Sequence, residues 1–454
     1  MTKLQDKDLS STKQRPRLLL LAYCFSPNGT MEERNGWQRA ILAARYFDVT
    51  ALYCPTESTA ELERNIPTVL APLSLKFVPI ADDWFSRALK KFEPSFYFSY
   101  RHWHRLAYRA AKQIHIESPF QLTHLVSLCG FREPGFVWQL DVPHIWGPIG
   151  GTHHLPFPFL SSLDVWNQFR ESIRTVMNSY QLHCCRRVRK AMQRSAAVIA
   201  ATKSAQSDLK SGFGIDTEIE IETGIDHEID PPRVGTSHDR PLRLLWAGRL
   251  RAWKGLPILL NAMASLPKTT SVQLRVVGDG SCKKPWKRLA EKLGIAANIE
   301  WLPWPTYRES LGHYKWADVF AFTSLRDTSG TGLVEALAAG CPIIGLDHQG
   351  AADIMSEQCA IRVSVRDWSS AVSGFRDGIV RLANDRQEWL QLSHGASQRA
   401  FNYAWQQRRS YVTNVCCQIA DRSSATDIKA VNNENLDALS TDQSLLRTVR
   451  SITV

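Results

Sequence analysis

The sequence predicts an α/β protein with two Rossmann-like, doubly wound domains that face a central cleft. The chain has 454 residues, more than a single ordinary hydrophobic core accommodates, and 44% of them are hydrophobic. In both halves, short apolar runs typical of buried parallel strands alternate with helical patterns. The predicted units are a disordered tail at 1–16, an N-terminal domain at 17–226, a linker rich in proline, glycine and charge at 227–240, a C-terminal domain at 241–405, and a C-terminal helix with a flexible tail at 406–454.

The N-terminal domain opens with a β-α-β pattern. Residues 18–23 form an apolar run, residues 37–47 carry apolar side chains at helical spacing, and residues 48–53 return to a strand pattern. The loop at 26–37 lacks the G-x-G-x-x-G of a dinucleotide site, which disfavours a dehydrogenase. We expect this loop, which includes Glu32, to contact an acceptor or a phosphate.

Two later segments of the same domain lie at predicted strand ends, where α/β sheets bind their ligands. His124 belongs to the strand at 122–127, and its imidazole can sense a sugar hydroxyl or a phosphate. A buried structural histidine is the alternative. Gly150 and Gly151 predict a rigid turn, or a close approach of the backbone to a ligand, and the two interpretations are compatible.

The stretch at 322–345 has the pattern of a strand, a glycine loop, a short helix and a second strand. Gly330, Thr331 and Gly332 lead directly into the helix, so their amides and the helix dipole make an anion site, for which phosphate is the usual occupant. Asp327 and Glu335 stand on either side, where each carboxylate can reach sugar hydroxyls. The sequence therefore predicts a nucleotide-sugar site.

The C-terminal domain opens with a strand followed by a glycine turn at Gly248, and two cations follow that turn. Arg249 and Lys254 are expected near the glycine loop, where they can neutralise a leaving diphosphate. Ordinary surface charge is the alternative interpretation.

The net charge of +11 and the pI near 9.2 favour an anionic partner, either nucleic acid, an anionic membrane surface or a phosphorylated substrate. No nucleic-acid module accompanies the charge, which disfavours nucleic acid. The basic, aromatic segment at 84–112 is consistent with an interfacial membrane surface or with a solvated helix face.

Several signals point to a cytoplasmic protein without a metal. The apolar run at 18–24 is too short for a signal sequence or a membrane span, so a cytoplasmic location, peripheral on the inner membrane face, is expected. The ten cysteines show no C-x-x-C spacing, and the only D-x-D lies in the N-terminal tail.

Taken together, these motifs resemble a known family. The C-terminal half is similar to the donor-binding domain of glycosyltransferase family 4, the retaining group 1 enzymes of GT-B fold. The N-terminal half resembles a bacterial exopolysaccharide or lipopolysaccharide branch of that family through residues 35–37, 131–135 and 146–151, and the similarity spans about residues 17–405. The motifs of the C-terminal half are Gly248-Arg-Leu250 with Lys254-Gly255, Val277-Gly-Asp-Gly280, and an acid at Asp327 followed after seven residues by Glu335-Ala-Leu-Ala-Ala-Gly340-Cys-Pro.

The resemblance implies a metal-independent, retaining hexosyltransferase that uses a UDP- or GDP-sugar, takes a glycan or lipid-linked glycan as acceptor, and serves polysaccharide biosynthesis. It implies no other cofactor. By this resemblance, Arg249 and Lys254 bind the diphosphate of the donor, and the amides of Gly330, Thr331 and Gly332 bind its distal phosphate. Glu335 binds the ribose, and Asp327 binds the transferred sugar. Trp304 lies near the base pocket, and His124 lies across the cleft.

The sequence departs from the family at two positions. Asp327 stands where the family more often has glutamate, and 30–32 lacks the usual Gly-Ser-Glu. Two alternative functions therefore remain open at this point: another GT-B enzyme, such as a sugar-nucleotide epimerase, and a binding protein that keeps the fold without turnover.

Overall fold

The computed structural model describes residues 15–27, 29–56, 59, 73–90, 95–233, 240–408 and 412–419. Nearly all of the predicted N-terminal tail, the middle of the predicted linker and the chain beyond 419 lie outside these residues. The described chain forms two α/β domains, each built on one fully parallel sheet.

The N-terminal sheet has seven strands in the order β3-β2-β1-β4-β5-β6-β7. Its strands are β1 (Arg17–Ala22), β2 (Asp48–Tyr53), β3 (Leu75–Pro79), β4 (Leu122–Ser127), β5 (His144–Ile149), β6 (Ala197–Ala200) and β7 (Glu218–Ile219). Its helices are α1 (Met31–Ala43), α2 (Trp84–Lys90), α3 (Phe96–Glu117), α4 (Val165–Cys184), α5 (Arg186–Arg194) and α6 (Lys203–Phe213).

The C-terminal sheet has six strands in the order β10-β9-β8-β11-β12-β13. Its strands are β8 (Leu242–Ala247), β9 (Val272–Val277), β10 (Ile299–Leu302), β11 (Val319–Phe322), β12 (Ile343–Leu346) and β13 (Ala360–Val363). Its helices are α7 (Leu256–Ala264), α8 (Lys283–Lys292), α9 (Tyr307–Trp316), α10 (Thr331–Ala338), α11 (Gln349–Ile354), α12 (Trp368–Asn384) and α13 (Arg386–Ala400).

Strand order fixes where each domain can bind a ligand. In the first sheet β1 lies between β2 and β4, and in the second β8 lies between β9 and β11, so the chain reverses direction across the sheet at these two points. Parallel α/β sheets bind ligands beyond the carboxyl ends of the strands at such switch points. The predicted donor-site residues follow β8 and β11, and are therefore at the switch point of the second sheet.

Helix α1 begins earlier than the sequence pattern predicts. It starts at Met31 rather than near Trp37, because the Glu33 carboxylate accepts a hydrogen bond from the Thr30 amide at 2.6 Å and stabilises the first turn. Glu32 consequently lies in the first turn of a helix and not in a loop, which corrects the predicted acceptor-side loop.

Two other predicted elements are shorter than expected. The helical section predicted at about 159–195 is divided into a 3₁₀ turn, α4 and α5, and Asp164 caps α4 by accepting a hydrogen bond from the Asn167 amide at 3.1 Å. The strand predicted at 219–226 ends at Ile219. Beyond Ile219, side chains make hydrogen bonds that a neighbouring strand would otherwise make. Arg39 and Arg408 both donate to the Ile221 carbonyl, at 2.9 and 2.8 Å.

The chain crosses between the domains twice, at neighbouring positions. Ile225 and Ala404 form a parallel bridge, in which the Ile225 amide donates to the Tyr403 carbonyl at 2.8 Å and the Trp405 amide donates to the Ile225 carbonyl at 2.9 Å. After this bridge Trp405 packs into the N-terminal core, which the sequence pattern did not predict.

Candidate active site

A glycine loop connects β11 to α10. Gly330 has φ +70°, in the left-handed region that favours glycine, and a Cβ there would lie 2.7 Å from the Phe322 ring. At Gly332 a Cβ would lie 2.9 Å from both the Phe320 ring and the Tyr314 hydroxyl oxygen. No side chain caps the first turn of this eight-residue helix, so the amides of Gly330, Thr331 and Gly332 are at its open N-terminus, as expected for a phosphate site.

Lys254 and Asp327 are brought together as an ion pair. Lys254 ends the 3₁₀ turn after β8, and the Thr323 hydroxyl holds that turn against β11 by donating to the Lys254 carbonyl at 2.7 Å. The ammonium contacts the Asp327 carboxylate, and the two side chains are 21% and 25% exposed. The Asp327 amide donates to the Gln349 side-chain oxygen at 2.9 Å. A cation and an acid thus stand together beside the glycine loop.

Arg249 and Glu32 face one another from opposite domains. The Arg249 side chain is exposed, and the Gly248 amide fixes the preceding turn by donating to the Val277 carbonyl at 3.0 Å. Glu32 is exposed in surface area, but nearby protein desolvates its carboxyl group and raises its pKa, whereas the charge of Arg249 opposes the shift. A predicted acceptor-side acid therefore lies within electrostatic reach of a predicted donor-side cation.

Glu335 belongs to a polar cluster that the sequence did not reveal. Desolvation raises the pKa of its carboxyl group, and a hydrogen bond with Tyr314 and the charge of Arg34 oppose that shift. Arg34, from α1, stacks on the Tyr307 ring with 3.3 Å between the guanidinium carbon and the ring centroid. It also pairs with Asp226 at 3.0 Å. Both domains therefore contribute side chains around the predicted ribose-binding acid.

The Gly150–Gly151 turn contacts the glycine loop directly. A Cβ on Gly150 would lie 2.3 Å from a methyl carbon of Thr328, and Gly151 has φ +75°. On the other side of the site, Trp304 is 59% exposed, and a Cβ on Gly278 would lie 3.2 Å from its ring. An indole in this position is available to stack on a base.

The structure places His124 inside the N-terminal sheet and not on the cleft surface. The residue is 2% exposed, and its Nε2 shares a hydrogen bond with the Gly147 carbonyl at 2.9 Å. Desolvation, followed by the charge of Arg39, lowers its pKa to about 3, so the ring is neutral near pH 7. This geometry is that of the structural alternative.

Two histidines that sequence reasoning missed lie near Asp327. His153 follows Gly151 beyond the end of β5, and desolvation lowers its pKa to about 4, with Asp327 opposing the shift. His348 follows β12 and bonds to the Ser324 carbonyl at 2.8 Å, and Asp327 also acts on its pKa, which desolvation lowers. Both follow the carboxyl ends of parallel strands, and this position was the signal that could have identified them.

Glu222 is a further unpredicted acid, located between the domains. Its carboxylate accepts a hydrogen bond from the Ser329 hydroxyl beside the glycine loop. Desolvation raises its pKa, and the charge of Asp327 adds to that rise. Its Oε2 is buried without a hydrogen-bond partner among the described residues.

The described ranges contain neither a candidate metal cluster nor a candidate membrane span. There, no three or more His, Cys, Asp or Glu side chains form a group suited to a metal ion. No helix in that part of the chain combines the length and apolar character that crossing a bilayer requires.

Two parallel α/β domains that face each other across a cleft define the GT-B fold. Sucrose-phosphate synthase from Thermosynechococcus elongatus has the same fold, with a TM-score of 0.62 and 16% identity over 89% of this chain and 99% of that one. Anabaena HepE, solved in complex with UDP, gives a TM-score of 0.58 and 14% identity over 89% of this chain and 100% of that one. The predicted GT-B fold is confirmed.

Residues 231–377 match the family described as Glycosyl transferases group 1. The match covers most of the C-terminal domain and agrees with the resemblance that its motifs predicted. Relatives named D-inositol 3-phosphate glycosyltransferase include one from Xylanimonas cellulosilytica, 25% identical over 51% of this chain and 59% of the relative, and one from Mycolicibacterium smegmatis, 30% identical over 35% and 36%. The chain thus spans only a third to three fifths of these curated relatives.

Proposed function

We propose that the protein is a retaining glycosyltransferase that transfers a sugar from a UDP- or GDP-sugar to a glycan or lipid-linked glycan acceptor. The observation that carries this proposal is the Lys254–Asp327 pair beside the open N-terminus of α10, with Arg249 at the same switch point. The group 1 match covers these residues, and the structural neighbour HepE has been solved with UDP and glucose, which supports a nucleotide-sugar donor.

The chemistry requires charge stabilisation more than covalent catalysis. The bond between the anomeric carbon and the diphosphate oxygen breaks while the bond to the acceptor oxygen forms on the same face of the sugar. Lys254, Arg249 and the α10 amides stabilise the charge that develops on the leaving diphosphate. The acceptor proton passes to an oxygen of that diphosphate, so no protein nucleophile is needed. Metal independence is part of this proposal.

Asp327 and Glu335 hold the donor's hydroxyl groups in the proposed complex. The Asp327 carboxylate orients the transferred sugar, and Glu335 binds the ribose. Trp304 stacks on the base, since its exposed ring borders the turn at Gly278. Closure of the cleft excludes water, which favours transfer over hydrolysis.

We also propose that the enzyme acts in polysaccharide biosynthesis at the cytoplasmic face of an anionic membrane. Helix α4 supports this, because its apolar face points outward while Glu171, Arg174 and Asn178 face the protein. Basic residues of α5 follow directly. The exposed apolar side chains of α4 are Val165, Trp166, Phe169, Ile173, Val176, Met177 and Tyr180.

A thermal-shift screen of the purified protein against UDP-, GDP- and ADP-sugars tests the donor. A bound donor raises the melting temperature in proportion to its occupancy, so the sugars of one of these nucleotides are expected to raise it. Glu335→Ala should remove this shift. Glu357→Ala, a change at an exposed residue, is the control and should retain it. No shift with any sugar nucleotide would contradict the proposal. Product analysis with a labelled donor then separates transfer from epimerisation, which would yield a new nucleotide sugar.

A further inference from the structure

Three arginines converge beside the segment that follows β5. Arg132 comes from the loop after β4, Arg174 from the inward face of α4, and Arg326 from the loop after β11 in the other domain. The Arg132 guanidinium donates to the Gly151 carbonyl at 3.3 Å, and the Arg174 guanidinium donates to the His153 carbonyl at 3.1 Å. Both side chains are thus fixed on the same short piece of backbone.

Among the described residues, only Arg326 of the three has a carboxylate partner. Arg326 binds Glu171 across the domain boundary through two hydrogen bonds, at 2.9 and 3.2 Å. Arg132 bonds to neutral groups, namely the Gly151 carbonyl, the Asn178 amide oxygen and, at 3.4 Å, the Tyr97 hydroxyl. Within the part of the chain that the structure describes, neither Arg132 nor Arg174 forms an ion pair. Partly buried cations normally have a counter-charge, because desolvation is costly.

Desolvation and this excess positive charge together lower the pKa values of Arg174 and His154. Desolvation, followed by the charges of Arg326 and Arg132, lowers the pKa of Arg174 to about 9, with Glu171 and Tyr97 opposing. All three arginines also contribute to lowering the pKa of His154, after desolvation and against Asp208. The His154 Nδ1 is buried without a hydrogen-bond partner among the described residues. The cluster therefore combines two cations that form no ion pair among the described residues with an unused polar atom.

The cluster lies on the acceptor side of the proposed reaction centre. Its backbone anchor begins at Gly151, next to Gly150, which contacts Thr328 beside Asp327. In addition, the Gln349 side chain connects the two regions. Its amide oxygen accepts a hydrogen bond from the Asp327 backbone amide, and its amide nitrogen donates to the His154 carbonyl at 2.8 Å. The donor residues Lys254 and Arg249 belong to the other domain, so Arg132 and Arg174 are separate from the residues assigned to the donor diphosphate.

We propose that Arg132 and Arg174, with His154, bind a phosphate group carried by the acceptor. This inference rests on the proposed glycosyltransferase function, because it names the class of acceptor for the same cleft. Phosphate offers several acceptor oxygens to the guanidinium forks and supplies the counter-charge that these arginines lack. A phospholipid headgroup and a soluble sugar phosphate have this chemistry in common.

Calorimetric titration with inorganic phosphate, on protein saturated with UDP, tests the site directly. Arg174→Gln and Arg132→Gln are each expected to weaken phosphate binding about tenfold or more, as for loss of a charge-assisted hydrogen bond. Arg170→Gln, an exposed change on the same helix, is the matched control and should leave the affinity unchanged. Equal phosphate affinity in Arg174→Gln and Arg170→Gln would overturn the inference.

Thermal melting of each variant shows whether it is folded, and Arg174→Lys adds a check that does not depend on removing the charge. Lysine keeps the positive charge but not the planar fork, so it is expected to restore part of the affinity. A folded Arg174→Lys variant that binds no better than Arg174→Gln would contradict charge recognition at this position.

Two further probes distinguish the source of the phosphate. Binding of phosphatidylcholine vesicles that contain phosphatidic acid, dependent on Arg174, would identify a lipid headgroup. Binding of glucose 1-phosphate with the same dependence, while vesicle binding does not depend on Arg174, would identify a soluble acceptor. Failure of both probes to depend on Arg174 would overturn the site.

Titration with UDP separates this inference from the function on which it rests. Arg174→Gln should bind UDP as the wild type does, since the arginine lies outside the donor site. A protein that binds UDP but shows no Arg174-dependent phosphate binding refutes the acceptor site alone. A protein that binds phosphate through Arg174, but no nucleotide, refutes the proposed donor instead.

Discussion

At the scale of single residues, the acids of the cleft differ in how their charge is compensated. Asp327 has a direct cationic partner in Lys254. Glu32, Glu222 and Glu335 are desolvated, and each has a raised carboxyl pKa. Asp327 is ion-paired beside the glycine loop, whereas the raised pKa of the other three acids favours protonation, which allows them to donate hydrogen bonds.

Replacing Lys254 tests leaving-group stabilisation. Lys254→Ala is expected to lower kcat for sugar transfer about 10²- to 10³-fold, because a preorganised charge beside the leaving diphosphate is lost. Steady-state kinetics with the donor found by thermal shift measures this. Lys268→Ala, an exposed lysine of the same domain, is the control. A Lys254→Ala enzyme with kcat close to that of the control would refute the assigned role.

The raised pKa of Glu222 makes stability depend on pH in a defined direction. The folded protein binds the proton of this carboxyl group more tightly than the unfolded chain, so its contribution is present at low pH and is lost as pH rises through the folded pKa. Glu222→Gln mimics the protonated form. Its melting temperature minus that of the wild type should therefore increase from about pH 5 to about pH 8.

Differential scanning calorimetry at several pH values measures that difference. Glu357→Gln changes an exposed carboxylate and should give a difference that stays constant with pH. If the Glu222→Gln difference is equally constant, the carboxylate is not desolvated in the folded protein.

At the scale of elements, α4 separates two functions on its two faces. The inward face carries Arg174 and contacts the cleft, while the outward face is apolar and exposed along the whole helix. A helix with this arrangement can lie in the headgroup region of a bilayer and hold the cleft next to it.

Substitution on the outward face of α4 tests membrane docking. Phe169→Gln is expected to weaken binding to anionic vesicles about tenfold, because a buried phenylalanine contributes roughly 1.5–3 kcal/mol. Vesicle co-sedimentation measures the change. Phe401→Gln is the matched control, since Phe401 is 55% exposed and Phe169 59%. Equal effects of the two substitutions would contradict a docking role for α4.

At the scale of the whole molecule, two tryptophans, one after β10 and one at the end of the C-terminal domain, have opposite roles. Trp405 is 4% exposed and packs in the N-terminal core, so Trp405→Ala should destabilise the protein by about 3–5 kcal/mol. Trp304 is 59% exposed, so Trp304→Ala should leave unfolding nearly unchanged and weaken nucleotide binding by about 1–3 kcal/mol through lost stacking.

Chemical denaturation and nucleotide titration of both variants measure these effects. A stable Trp405→Ala variant would mean that the C-terminal crossing contributes little to the N-terminal domain. An unchanged nucleotide affinity in Trp304→Ala would remove this ring from the base pocket.

The sequence pattern predicted the fold well. Apolar runs alternating with helical periodicity predicted two parallel sheets, because buried strands and amphipathic helices differ in period. Glycines at helix starts predicted the loop around Gly330, and spacing brought Lys254 and Asp327 into one hypothesis. These signals are local, so a single sequence contains them.

Contacts between distant segments could not be predicted in the same way. Arg34 reaches Tyr307 only because the two domains face each other. The burial of His124 depends on strands that lie on both sides of β4 in the sheet. Such contacts depend on tertiary packing, which no local pattern records.

The bridge between Ile225 and Ala404 has a mechanical consequence. Because both chain crossings pass side by side and are joined by two backbone hydrogen bonds, they resist separation and sliding but permit rotation about one line. The bridge thus acts as a hinge between the domains, and the largest displacement of one domain relative to the other occurs at the edge farthest from the bridge. Distance labels across the bridge should report little change when a donor binds, while labels on opposite lips of the cleft should approach each other.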